Sequence, residues 1–313
     1  MIISASRRTD IPAFYSDWFC NRVKEGYVLV RNPMNFHQIS RISLTREAVD
    51  CIVFWTKNPE MLLRRHLQEL KQFTIPFYFQ FTVTPYNRTI EPNLSSKKSI
   101  ISTFMQLSEA FGSERLIWRY DPIILTDWMT PEYHCKCFEA IAKRLAPYTN
   151  QCTISFLDFY RKTQRNMHPI SAFEPTAGQK RELSCKLYEI ASALGIRLAA
   201  CAESFDLSGT GIFPAKCIDP ELIARLCKGR VTVKKDQNQR VACGCVESID
   251  IGAYNTCNHG CLYCYANFCR TAVESRTARH DPLSPLLWGD LEEKDYIVER
   301  RMASVIDRQI ALL

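Results

Sequence analysis

At 313 residues, 46% of them apolar and 23% charged, the composition excludes a disordered chain and allows a large buried core. No apolar run reaches the roughly 18 residues that a spanning helix requires, so no membrane partner is expected. A formal charge of +7 permits an anionic substrate or a nucleic acid without demanding either.

In chain order, segment 2–6 reads as a strand that runs into Arg7-Arg8 rather than as the apolar core of a signal peptide, and a cytoplasmic location is expected. Further strand patterns lie at 51–55, 77–83, 115–119, 152–157, 197–201 and 248–254. Helical patterns fall between them at 59–72, 95–111, 131–145 and 176–194. Thr130 and Pro131 form an N-cap and first-turn pair, and Gly112 and Gly195 lie just past helix ends. Most of the strands are too apolar to be half-exposed, which predicts a parallel sheet covered on both faces. The expectation is an α/β fold: one domain over 1–313 built as a TIM-like, at least partial, barrel. Within it, 203–246 is an irregular cysteine-containing insert and 247–270 a strand and loop bearing a cysteine triplet. The tail 282–313 is expected to end in a mixed-charge helix.

In such folds the chemistry collects where strands end and loops begin. The predicted ends deliver Arg7 to Asp10, Lys57, Gln80 with Thr82 and Thr84, Arg119 with Asp121, Asp158, and Glu203. Lys57, Arg119, Asp121, Asp158 and Glu203 are the candidates for the substrate side. Arg7, Arg8, Lys57, Arg119 and Arg161 point to an anionic group on the substrate. The interleaved basic and aromatic stretches of a single-strand groove are lacking.

Fifteen cysteines in a reducing compartment indicate metal binding or buried small hydrophobes rather than disulfides. Cys51, Cys135, Cys137, Cys152 and Cys185 fall in strand or helix patterns and are expected to pack. The run Cys257-Asn-His-Gly-Cys261-Leu-Tyr-Cys264 has CX3CX2C spacing. Three thiolates can hold three irons of a cubane and leave the fourth iron open; zinc is the structural alternative. His259, inside the run, is expected to bond the backbone or face solvent rather than ligate metal. A second set, Cys201, Cys217, Cys243 and Cys245, suits either a second four-iron cluster or a structural zinc. Cys227 and Cys269 are spare candidates, and Asp236, Gln239 and Arg240 lie near this set in sequence.

The triplet, with Tyr263 before its last cysteine and the flanks Ile251-Gly-Ala-Tyr254 and Tyr265-Ala-Asn267, resembles the cluster loop of radical S-adenosylmethionine (SAM) enzymes. It is most similar to their spore photoproduct lyase-like branch, a relation that points to nucleic acid. The segments Ile3-Ser-Ala-Ser-Arg-Arg-Thr-Asp10, Phe54-Trp-Thr-Lys-Asn-Pro59 and Trp118-Arg-Tyr-Asp-Pro122 resemble the bacterial domain-of-unknown-function family 1848 over nearly the whole chain.

The resemblance implies a 4Fe-4S cluster on Cys257, Cys261 and Cys264, with SAM on the open iron and a reductant such as flavodoxin or ferredoxin. Reductive cleavage of SAM would give methionine and a 5′-deoxyadenosyl radical that abstracts hydrogen from the substrate. In radical SAM enzymes the cluster loop follows the first strand, whereas here it follows the last, so a circularly permuted barrel is expected. Ser6, Arg7, Arg8, Thr9 and Asp10 would then take the amino and carboxylate ends of SAM, and Tyr263 would approach the adenine. The competing readings are an iron–sulfur electron carrier or redox sensor, and a zinc-stabilised nucleic-acid-binding module.

Overall fold

The computed structural model describes residues 1–307. In chain order its strands are β1 (Ile2–Ala5), β2 (Tyr27–Arg31), β3 (Gln38–Ser43), β4 (Cys51–Thr56), β5 (Phe77–Thr82), β6 (Leu116–Ile123) and β7 (Gln151–Phe156). They continue with β8 (Arg197–Ala200), β9 (Phe213–Pro214), β10 (Arg230–Val231), β11 (Ile249–Asp250), β12 (Tyr296–Glu299) and β13 (Ile306–Asp307). The helices are α1 (Ile11–Phe14), α2 (Ser16–Glu25), α3 (Glu60–Lys71), α4 (Lys97–Phe111), α5 (Pro131–Leu145), α6 (Arg161–Met167), α7 (Ala177–Ala193), α8 (Pro220–Cys227) and α9 (Arg270–Ala278).

Eight strands form one parallel sheet in the order β11-β1-β4-β5-β6-β7-β8-β9. The fold is therefore α/β, as expected, but the sheet is open: among the described residues β11 and β9 are its edges and do not pair. Each is only two residues long, too short to carry a ladder around a closed barrel.

Side chains alternate across each strand with period two, and the two sets go to different layers. Ile3, Ile52, Phe54, Phe77, Phe79, Phe81, Trp118 and Ile154 face the helical layer and form the main core. The opposite face carries Ile2, Cys51, Val53, Tyr78, Ile117 and Ala199, covered by Ala215, Ile218, Leu222 and Ile223 of the insert. Both faces are thus dry near the strand starts, which accounts for the continuously apolar strand sequences. Toward the C-terminal ends the insert-side face turns polar, through Gln80, Arg119, Thr153 and Ser155.

Three sequence expectations change. The tail contains no helix among its described residues; β12 pairs parallel with β3 and β13 antiparallel with β10, because the run Tyr296-Ile-Val-Glu299 prefers an open sheet edge despite its charged flanks. Residues 308–313 lie outside the described residues. The strand expected over 248–254 is only β11, since beyond it Gly252 passes so close to Ser6 that an added Cβ would lie 2.1 Å from Ser6 Oγ. The hairpin of β2 and β3 and the short helices α1 and α2 were absent from the sequence reading. Thr130 caps α5 through Tyr133 N, as its sequence predicted.

Candidate functional site

The strand ends converge on a cleft of about 510 Å³, within the range of small-molecule sites. The triplet Cys257, Cys261 and Cys264 lines it, and so do Cys201, Cys217, Cys243 and Cys245. No disulfide joins these cysteines to one another. One cleft therefore has two cysteine-bearing walls.

The triplet wall is fixed by β11 and by the loop after β5. Asp250 staples β11 to the end of β1: its carboxylate accepts from Ser4 Oγ at 3.0 Å, Ser6 Oγ at 2.6 Å, Arg7 N at 2.8 Å and Gly252 N at 3.0 Å. The cysteine loop then docks on residues 90–93, with Leu262 N donating to Ile90 O at 3.0 Å and Asn93 Nδ2 to Asn258 O at 2.7 Å. Between them lies Glu91, buried and four-fold partnered. It accepts from Lys57 Nζ and Thr84 Oγ1, each at 2.8 Å, and from Lys97 Nζ and Tyr263 OH. Burial alone would raise the Glu91 carboxyl, but Lys57 and Lys97 outweigh it and hold it at about 2. Lys57 also faces Cys261. Burial pushes that thiol up to about 12, against the pull of the ammonium.

His259 lies buried inside the loop and its Nε2 meets Asp10 Oδ2 at 2.8 Å. It neither bonds the backbone nor faces solvent, which corrects the sequence reading. Asp10 also accepts from Lys57 N at 2.7 Å and caps α1 through Ala13 N at 3.0 Å. Its oxygens are therefore occupied by the scaffold. Several buried polar atoms at the cleft have no hydrogen-bond partner among the described residues: Arg7 Nη2, Thr9 Oγ1, His259 Nδ1 and Asn267 Oδ1. Such atoms cost free energy unless something completes them.

The opposite wall gathers cysteines from three segments, the end of β8, the loop after β9 and the loop 243–245. The Sγ atoms of Cys201 and Cys217 are 3.4 Å apart, and Ile218 N donates to Cys245 Sγ at 3.4 Å. Hydrogen bonding among the sulfurs lowers Cys201 and Cys245 and raises Cys217 and Cys243. Arg119 Nη1 donates to Cys217 Sγ at 2.8 Å and to Gln80 Oε1 at 3.2 Å, while its Nε donates to Asp121 at 3.1 Å. The guanidinium groups of Arg7 and Arg119 each lie 5.2 Å from the Trp55 ring. Burial opposes the charge on both arginines, and Cys245 for Arg7 and Cys217 for Arg119 raise it.

Of the substrate-side candidates, Glu203 stays outside the cleft lining, as does Arg161: Glu203 accepts from Phe156 N at 2.7 Å and holds the end of β7. Asp158 reaches the cleft but is half-exposed and pairs with Arg240. Gln239 and Arg240 line the cleft, and Asp236 lies 4.0 Å from Arg7 Nη1. Arg161 is exposed on α6. Arg119 and Lys57, expected to face substrate, are engaged by Cys217 with Asp121 and by Glu91. Ser6 is engaged by Asp250, Tyr263 points its hydroxyl at Glu91, and Arg8 stacks 5.1 Å from the Tyr254 ring.

The spare cysteines are elsewhere. Cys227 donates to Asp50 O at 3.3 Å, and Cys269 is exposed and caps α9 through Ala272 N. Glu91, Asp250 and Trp55 escaped the sequence reading; an acid inside the apolar strand 248–254 was the available signal for Asp250.

Three ligand atoms within 4.8 Å of one another occur among the described residues at Cys20, His66 and Glu69, and at His37, Glu292 and Asp295. In these triads His66 pairs with Glu69 and Glu69 with Lys24, while Asp295 pairs with His37 and Arg31. Neither cysteine wall is so contracted. No helix is long and apolar enough to cross a membrane among the described residues.

No curated protein matches the sequence. A solved structure described as "a putative alpha-L-fucosidase from Bacteroides thetaiotaomicron VPI-5482" aligns with TM-score 0.26 and 11% identity over 59% of this chain and 74% of its own. Superposition that loose carries no argument. The profile of a domain of unknown function (DUF1848) matches residues 2–266, nearly the whole chain and both cysteine walls. The chain belongs to that family, the domain of unknown function DUF1848.

Proposed function

We propose that this protein is a radical SAM enzyme whose cluster loop is 257–264. The observation that carries the reading is the placement of Cys257, Cys261 and Cys264 together on one wall of a cleft formed by parallel strand ends. The nearest further cysteine in sequence, Cys269, caps α9 outside that lining, so this loop itself brings three cysteines, not four, to its wall of the cleft. A closed four-thiolate electron carrier at this loop is correspondingly disfavoured.

The sheet order supports a permuted, barrel-like arrangement. β11, which delivers the loop, pairs parallel with β1, with Ile3 opposite Ile249 and Ser4 opposite Asp250. In a ring, that is where a strand displaced from the front of the chain belongs.

Bound at this wall, a four-iron cluster and SAM would supply one-electron cleavage of the sulfonium and hydrogen-atom abstraction from substrate. The protein's own residues hold and shield that chemistry. The three cysteines are the ligands. Lys57, anchored by Glu91, offsets negative charge beside Cys261, and Tyr263 is oriented by the same carboxylate. Asp10 holds His259, and with it the loop, rather than a ligand ammonium. Thr9 Oγ1 and Asn267 Oδ1 remain to accept from that ammonium, and the free Nη2 of Arg7 remains for an anionic group. Flavodoxin or ferredoxin, in a cytoplasmic setting, would be the source of the electron, and an anionic small molecule or a nucleic acid the substrate.

The test is anaerobic reconstitution followed by iron and sulfide analysis and electron paramagnetic resonance with and without SAM. The expected result is a cluster signal that changes on adding SAM, and a SAM response that disappears in Cys261→Ala. A cluster indifferent to SAM, or a protein carrying zinc and no iron, would overturn the proposal.

A further inference from the structure

We infer that Cys201, Cys217, Cys243 and Cys245 form a second, four-thiolate iron–sulfur site on the wall opposite the triplet, with Arg119 as a positioning residue that donates to its ligand sulfur. The argument is independent of any SAM chemistry at the triplet.

Four cysteines from three separate segments are brought to one place, all are buried, and all line the cleft. Packing alone would scatter small hydrophobes over the two apolar faces, as it does with Cys20, Cys51 and Cys152. It would not bring a guanidinium to them. Arg119 is nonetheless buried with Nη1 at 2.8 Å from Cys217 Sγ, a contact that is favourable when the sulfur carries negative charge. Arg7 supplies a second cation on the same side, and its buried Nη2 has no partner, so one donor is left over for an anion in the cleft. The backbone is committed as well: the Cys217 carbonyl accepts from Tyr78 OH at 2.8 Å and from Gln80 Nε2 at 2.9 Å, which fixes that cysteine's place above the sheet.

The open cleft favours iron–sulfur over a structural zinc. A tetrahedron with Zn–S bonds of about 2.3 Å puts every pair of sulfurs about 3.8 Å apart and encloses the ion. Cys201 and Cys217, at 3.4 Å, would have to part to hold two irons of a cubane, but no three of the sulfurs lie within 4.8 Å of one another among the described residues. All four line a cleft of about 510 Å³, with room for a polynuclear group. Four protein thiolates also leave no iron open, so the site would pass single electrons rather than bind a ligand.

The experiment removes the triplet. In the full-length variant Cys257→Ala/Cys261→Ala/Cys264→Ala, reconstituted without oxygen, about four irons and four sulfides per chain should remain. The reduced signal should be unchanged by SAM. Adding Cys217→Ser and Cys245→Ser should abolish that iron while circular dichroism shows the fold retained. Arg119→Gln should lower the midpoint potential of the remaining cluster, since loss of a cationic donor disfavours the reduced form; an unchanged potential would remove Arg119 from the proposal. Zinc in place of iron in the triplet variant, or no bound metal at all, would overturn the site. Those results leave a SAM-responsive cluster at the triplet untouched. Conversely, retained iron in the triplet variant alongside a SAM-indifferent wild type would sink the radical proposal and keep this one.

Discussion

The two walls of the cleft are built in opposite ways. The triplet wall is a contiguous eight-residue run whose cysteines stay partly exposed, held from behind by Glu91, Asp10 and Asp250. The facing wall draws its cysteines from three segments, buries them all and sets Arg119 among them. In the first, charge is neutralised behind the cysteines by a carboxylate with two ammonium partners. In the second, guanidinium groups stand directly beside the sulfurs. The difference teaches that a short motif needs an external brace to hold its shape, whereas a dispersed set is braced by the fold that assembles it.

The sharpest way to break the comparison is at the brace. Glu91→Ala would leave Lys57, Lys97 and the Tyr263 hydroxyl without their shared acceptor, at a cost of about 3–5 kcal/mol, as for other broken buried ion pairs. Urea unfolding measures it, and protease nicking within 257–264 should rise together with that loss. A drop below about 1 kcal/mol would mean the loop holds itself. The pH dependence has a definite sign. Glu91 has its carboxyl depressed in the fold, so its contribution is present above its ordinary value near 4.5 and is lost as pH falls toward about 2. In Glu91→Ala the acid limb of the stability curve should flatten over that window.

The seam between β11 and β1 is the next test. Gly252→Ala would push a methyl into Ser6, 2.1 Å away, and should cost about 1–3 kcal/mol through overpacking. On the proposed reading, iron reconstituted at the triplet should fall with it, while iron reconstituted at the opposite wall is retained. Equal loss on both walls would show them to be one cooperative unit.

The smallest effect is expected at the insert's surface. Arg240 and Asp158 are both largely solvated, so Arg240→Ala should change stability by about 0–1 kcal/mol. A larger loss would mean that surface pairing, and not burial of the four cysteines, holds the second wall.

What could be read from the sequence follows the same division. The triplet was legible because its cysteines are neighbours in the chain, and the α/β alternation because the strands are dry on both faces. The four-cysteine set was legible as a group, but not the role of Arg119, whose partner Cys217 lies 98 residues away. Glu91 carries no local signal: it is one glutamate in a polar loop, and its partners stand 6, 7, 34 and 172 residues distant. The tail was misread because mixed charges suit an exposed helix as well as an exposed edge strand. Only the open edge of β3 decides between them.

One pairing also has a temporal side. β1 is made early, yet its neighbour β11 stands 246 residues further on, as the bond from Ser4 to Asp250 records. At about 5–20 residues per second, a growing chain holds β1 with one edge uncovered for roughly 12–50 s. Such an edge is a template for pairing with other chains. The cysteine run at 257–264 is then synthesised after the strands it docks against. Any metal taken up by the run would therefore arrive on a sheet most of which already exists.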